Sequence, residues 1–214
     1  YLDKAHLCHG LDDLPGACSA YDDSIECVMR LMEKEGNQGK YNNILASTIM
    51  DKATMLRMAG DYSGAAMLYN KTLSIYKQMV DKEGRRDVIG NLAAALMNNA
   101  NLLQIMNDLS GAVEHIDESI AYYRQLLEQE GKKRYFHELA RALINKAIIL
   151  YRLNNLSDSA KIYDDGIAIY RKLVEQDGRR ELVHELADCL VNKANALDSM
   201  GDWAGAIELY DQGI

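Results

Sequence analysis

His137-Glu138 and His184-Glu185 stand 47 residues apart, two imidazole and carboxylate doublets of the kind that ligate zinc or pass a proton. One doublet per repeat places the ligands about a helix spacing apart, against the roughly 2 Å that a metal bond requires. No metal centre is expected from them. Cys8, Cys18, Cys27 and Cys189 show no C-x-x-C spacing. The first three fall where later copies carry leucine, alanine or an aromatic residue, so they are expected as buried thiols in a reducing compartment rather than disulfides or ligands. Neither a nucleophile elbow nor a glycine-rich phosphate loop is present. The chain is therefore not read as an enzyme, and no catalytic residue, metal or cofactor is assigned.

Two other series carry interaction chemistry. Asp51, Asn98, Asn145 and Asn192 recur every 47 residues. A carboxamide offers both a donor and an acceptor, so it can bridge the backbone amide of an extended peptide without reading its side chains. The same asparagines could equally link neighbouring helices or hydrate a face. The second series is basic: Arg85-Arg86, Lys132-Lys133-Arg134 and Arg179-Arg180 each follow a glycine, at Gly84, Gly131 and Gly178. Such a row can meet phosphates or an acidic partner. Cations past helix C-termini also offset the helix dipole, with Glu83, Glu130 and Asp177 beside them, and that structural reading is preferred. Lys77 with Asp81, Arg124 with Glu128 and Arg171 with Glu175 are expected as i, i+4 pairs on a solvated face.

These residues must be positioned by helices, because apolar residues recur at helical spacing in two runs per period. Leu139, Ala140, Leu143, Ala147 and Leu150 form one run, and Ala160, Tyr163, Ile167, Tyr170 and Val174 the other. The turns between runs are Gly60-Asp61, Asn107-Asp108, Asn154-Asn155 and Gly201-Asp202, where Gly or Asn supplies a left-handed residue. Tyr76, Tyr123 and Tyr170 share the period and are expected to pack between successive helices. A fixed period of this size marks a solenoid. The expected fold is all-α, a right-handed α-solenoid of antiparallel helix pairs. It divides into a partial repeat at 1–41, full repeats at about 42–86, 87–133 and 134–180, and a partial repeat at 181–214. The segment Gly36-Asn37-Gln38-Gly39 holds one extra residue and is expected as a loop.

The small residues Ala53, Ala100, Ala147 and Ala194 in first helices, with Ala17, Ala65, Ala112 and Ala206 after the turns, resemble the packing positions of the tetratricopeptide repeat. Tyr21, Tyr69, Ile116, Tyr163 and Tyr210 resemble its large residue, and Gly60-Asp61-Tyr62 and Gly201-Asp202-Trp203 its turn. The chain departs from that family in its period, 47 rather than about 34 residues. Lys77, Arg124 and Arg171 also replace the proline that closes the second helix, and Ser159 replaces an alanine. Without proline, each second helix is expected to run about three turns further, as in the long repeats of kinesin light chains and bacterial regulatory proteins.

The resemblance implies that first helices line a concave groove, with the asparagine positions facing it. Peptide contact is then expected at Asp51, Asn98, Asn145 and Asn192, flanked by Arg57, Asn101, Gln104, Arg141, Tyr151, Asp188, Asn195 and Asp198. Asn101 and Asn145 also match the asparagines of a chaperone-tail carboxylate clamp. Met97, Asp188 and Asn192 stand where its basic residues belong, so that ligand is disfavoured.

Composition narrows the partners. Lys and Arg total 24 against 32 Asp and Glu, a net charge of -8, which speaks against nucleic acid. No apolar run is long enough for a membrane span. The start at Tyr1 leads us to expect a fragment, and neither end resembles a polar solenoid cap. The expected function is a cytoplasmic, non-catalytic protein-interaction scaffold that binds a peptide or partner helix in its groove. The alternatives are self-assembly through uncapped repeat ends, giving a homo-oligomer, or a sensor array of a larger enzyme or signalling protein.

Overall fold

A computed structural model describes residues 2–10, 13–36, 38–130 and 134–213, and within them the backbone forms ten α-helices with no strand. Tyr1, Leu11, Asp12, Asn37, Gly131, Lys132, Lys133 and Ile214 lie outside the described residues, so the two lysines of the middle basic cluster and its glycine are not placed. The chain divides into two compact units, residues 1–106 and 107–214.

In the first unit, α1 (Leu2–Gly10) pairs with α2 (Leu14–Glu35) and α3 (Gln38–Met58) with α4 (Tyr62–Asp81), and α5 (Ile89–Ile105) packs on α4. In the second, α6 (Leu109–Glu130) packs on α7 (Tyr135–Arg152), which pairs with α8 (Leu156–Arg171). There α9 (Val183–Ser199) pairs with α10 (Trp203–Gly213). This is the helix-pair architecture of an α-solenoid.

The turns explain why the pairs form where they do. Gly60, Asn107, Asn154 and Gly201 all have positive φ, between 60° and 84°, so each first helix ends on the left-handed residue expected there. The next helix starts on an aspartate. Asp13, Asp61, Asp108 and Asp202 accept a hydrogen bond from the amide three residues on, at Gly16, Gly64, Gly111 and Gly205. A Cβ on any of these glycines would meet the capping carboxylate at 2.7 Å or less, so a side chain there displaces the cap. The α8 start departs from this rule: Asn155 stands at the cap, Asp158 replaces the glycine, and Asn155 Nδ2 donates to Asp158 Oδ2 at 2.9 Å. Ser159 there is buried and donates to Ala147 O, 2.8 Å away, which satisfies its hydroxyl.

Packing follows the repeat. Ala53, Ala65, Tyr69 and Leu102 form one core cluster in the first unit. Ala140, Ala147, Tyr163, Tyr170 and Leu190 belong to another in the second. Tyr76, Tyr123 and Tyr170 are each 2% exposed or less, the packing role expected. Burial raises all three phenol pKa values, that of Tyr76 to about 12.

Three expectations need correction. α4 extends only 4 residues past Lys77, about one turn rather than three, while α6 is described as far as Glu130, 6 residues past Arg124. Past Arg171 the chain continues for a single π-helical turn, Lys172–Gln176. Backbone geometry stops them: Arg85 N–H donates to Met79 O and Arg179 N–H to Leu173 O, both at 3.0 Å, around Gly84 and Gly178 at positive φ. Gln38 and Gly39 are not loop but the first residues of α3. Finally, Cys189 is buried, but Cys8 and Cys18 are only half-buried and Cys27 is exposed. Cys27 lies on the solvated side of α2 beside the exposed Glu26–Arg30 pair.

Candidate functional site: a cleft between first helices

The second unit gathers part of the expected site in a cleft of about 280 Å³ between α7 and α9. Ile148 and Tyr151 line it from α7, Asn192, Asn195, Asp198 and Ser199 from α9, and Tyr163 of α8 supplies the floor. Helix phase explains the α9 set. Asp188, Asn192, Asn195 and Ser199 follow steps of four, three and four residues, so they fall on one face.

A short chain of hydrogen bonds holds the walls. Ser199 Oγ donates to Asn195 O at 2.8 Å, which leaves Tyr151 as the donor in its 3.0 Å contact with Ser199 Oγ. Tyr210 OH donates to Asn195 Oδ1 at 2.6 Å and ties α10 to α9. The Thr54 and Tyr69 hydroxyls, 2.9 Å apart, make the same 15-residue latch between α3 and α4. Asn195 thus has a structural duty, and its Nδ2 group is what remains to face the cleft.

The other expected residues distribute differently. Asn145 is half-buried on α7, three residues before Ile148, and is not among the lining residues. Arg141 is exposed and donates from Nη1 to Glu138 Oε2 at 3.0 Å, so it is not a free guanidinium. Asp51, Arg57, Asn98 and Asn101 lie half-buried on α3 and α5 of the first unit, with Arg57 Nε buried and unpartnered. Among the described residues, asparagines that link helices include Asn195 of the expected set, through Tyr210, and two pairs outside it, Asn43 with Asn91 at 3.0 Å and Asn99 with Asn70 at 3.5 Å. Among the described residues, no side-chain hydrogen bond ties Asn98, Asn145 or Asn192 to a neighbouring helix.

Sequence reasoning missed Ile148, Tyr163 and Ser199. The 48-residue spacing shared by Tyr151–Ser199 and Asn43–Asn91, one more than the repeat, is the signal of adjacent first helices that would have found Ser199.

Two members of the basic series, Arg85 and Arg179, are locally neutralised. Arg85 holds Asp87 through Nε and Nη2 at 2.9 and 2.7 Å, and Arg179 Nε lies 2.8 Å from Glu181 Oε1. These bonds pull the Asp87 and Glu181 carboxyl pKa values down. The partners are therefore two residues downstream, not Glu83 or Asp177. Arg171 likewise reaches Gln212 Oε1 on α10 at 2.6 Å rather than Glu175.

His137 packs edge-on against Tyr170, ring centroids 5.9 Å apart, with Nε2 buried and unpartnered. Burial lowers its pKa, which Glu138 and Glu185 partly oppose and Arg141 and Arg179 assist. Among the described residues no three potential ligands converge as a metal centre would need. No helix among them is long and apolar enough to cross a membrane.

Antiparallel helix pairs at a fixed period, with a polar cleft between successive first helices, define a helical-repeat protein. Residues 92–131 and 139–179 match the tetratricopeptide repeat family, so that part of the chain carries tetratricopeptide repeats. Its fold is similar to the nearly identical TPR-like repeats assigned to a Podosopora anserina kinesin light chain, at 16% identity and TM-score 0.65 over 98% of this chain and 89% of that one. It is also similar to BtubC (BKLC) from P. vanneervenii, at 16% identity and TM-score 0.54 over 94% and 89%. The apo form of RapI matches at 10% identity and TM-score 0.62 over 99% and 80%. No curated protein matches the chain.

Proposed function

We propose that the chain is a non-catalytic interaction scaffold that captures an extended segment, or a helix, of a protein partner on its first-helix face. The observation that carries this reading is the α7–α9 cleft. It presents two asparagine amides, a tyrosine and an apolar floor together. Asn192 supplies a donor and an acceptor that no neighbouring helix uses, and its counterparts Asn98 and Asn145 keep the same 47-residue step. Preformed helices also spare the binding site the ordering entropy that a flexible loop would lose. A cytoplasmic setting belongs to the same reading, on the chemistry of four unbridged thiols.

The test is an array of surface-bound heptapeptides probed with the wild-type chain and with an Asn145→Ala, Asn192→Ala variant of equal helicity by circular dichroism. Spots retained by the wild type and lost by the variant support the groove. Identical spots for both proteins would assign the asparagines a purely structural role.

A second reading, self-assembly, rests on the exposed apolar side chains of α10, where Trp203 is 70% exposed and Ile207 62%. Sedimentation equilibrium over a hundredfold concentration range tests it: a mass that rises with concentration and returns to monomer in Ile207→Glu supports stacking, and a constant monomer mass refutes it.

A further inference from the structure

The charges around the cleft point to the chemistry of its occupant. On α7 and α9 every lysine and arginine is already engaged. Arg141 holds Glu138, Arg152 donates to Asn107 Oδ1 at 3.0 Å, and the Lys146 and Lys193 ammonium groups lie 2.7 and 2.6 Å from Asp117 and Asp164. Asp188 and Asp198 are exposed, and among the described residues neither carboxylate is paired with a cation. They bracket Asn192 and Asn195 on α9, and Asp198 itself lines the cleft. The free charge on this face is therefore negative, which repels an acidic segment or a nucleic acid and attracts a cation.

Volume sets the other half. About 280 Å³ lies just under the roughly 300–1,000 Å³ of small-molecule sites. It suits one side chain entering between Ile148 and Tyr163, with the amides of Asn192 and Asn195 left for its backbone. The exposed Tyr151 ring adds a surface over which an ammonium or guanidinium can sit. Asp188 and Asp198 are ten residues apart on one helix, about 15 Å, which an extended chain spans in roughly four residues. Side chains two apart in such a chain share a face.

We propose that the α7–α9 cleft takes an extended cationic segment in which an aliphatic residue enters the cleft and a Lys or Arg two positions to either side meets Asp188 and Asp198. This rests on the groove reading above and goes beyond it by giving the partner's chemistry.

The test uses fluorescein-labelled Ala-Lys-Ser-Leu-Ser-Lys-Ala and its versions with both lysines replaced by Gln or by Glu, titrated by fluorescence polarisation in 50 and 300 mM salt. The cationic peptide is expected to bind about fivefold tighter than the Gln version, since each of two exposed ion pairs supplies about 0.2–1 kcal/mol. Asp188→Asn with Asp198→Asn removes the preference, whereas Glu33→Gln with Asp81→Asn, exposed carboxylates of the first unit, leaves it and excludes a general effect of net charge. If the Gln or Glu peptide binds equally well and Asn192→Ala abolishes it, the cationic assignment is overturned and the groove stands. If none of the three binds, or binding ignores Asn192→Ala, the groove reading falls as well.

Discussion

Lys193 Nζ on α9 lies 2.6 Å from Asp164 Oδ1 on α8, a link from the first helix of one pair to the second helix of the pair before it. The same link recurs one period earlier, where Lys146 meets Asp117 at 2.7 Å, and again in the first unit between Lys52 and Asp22. At the remaining position the pair is neutral, Asn99 with Asn70 at 3.5 Å. The lysine stems are mostly buried while the aspartates remain exposed, so each pair aligns neighbouring repeats more than it stabilises them.

A double-mutant cycle on Lys193→Met and Asp164→Asn is therefore expected to give a coupling of only about 0.5 kcal/mol in urea denaturation. Replacing Asn70 by Asp together with Asn99 by Lys should keep the fold, with stability within about 1 kcal/mol of wild type. A coupling above about 2 kcal/mol would show that these pairs hold the repeats together.

Helix starts offer a second check. Asp108 caps α6 by accepting from Gly111 N at 3.0 Å, so Asp108→Ala should cost about 1 kcal/mol. Gly111→Ala should also destabilise, despite the better helix former, because the new Cβ would lie 2.7 Å from Asp108 Oδ2 and evict the cap. A stabilised Gly111→Ala chain, read as a higher Tm, would refute the capping account.

The architecture was legible because the 47-residue period multiplies weak signals. Gly60 and Asn154 are unremarkable alone, but four copies of a left-handed residue before a polar one define the turn. What stayed hidden lies between elements. The Lys193–Asp164 link spans 29 residues and the Asn195–Tyr210 latch 15, and only the rotational phase of two packed helices decides whether such residues meet. The overestimated second-helix length has a similar cause. Loss of proline permits continuation, but the backbone bonds around Gly84 and Gly178 end it. For the site, the α9 face was readable from helix phase, whereas Ile148 and Tyr163 carry no polar signal that separates a cleft wall from a core.

Acid sensitivity should trace in part to His137. Its pKa in the fold is lowered from 6.5 by burial, so the unfolded chain binds the extra proton first. Stability from this group is fully present above about pH 6.5 and is lost as pH falls from there through the lowered value. His137→Gln should flatten the denaturation midpoint between pH 6.5 and 5 relative to wild type. The paired carboxylates of Asp87 and Glu181 act at lower pH, below their ordinary values of 3.8 and 4.5. A wild-type curve already flat between pH 6.5 and 5 would contradict the burial assigned to His137.

Thiol reactivity separates the cysteines. Cys27 is exposed, and Cys189 is 3% exposed with its pKa pushed up to about 12 by burial. In native conditions at pH 8, a disulfide-exchange reagent should label Cys27 quickly and Cys189 only on unfolding. Equal rates at both would contradict the placement of α9.

The central claim is that partners bind between first helices. The most direct measurement is NMR shift mapping on the isotope-labelled chain, titrated with Ala-Lys-Ser-Leu-Ser-Lys-Ala. Binding between first helices should shift the side-chain amides of Asn192 and Asn195 and the backbone amides of Ile148, Tyr151 and Ser199, and leave those of Lys161 and Glu208 on α8 and α10 unmoved. Shifts confined to α8 and α10 would contradict it.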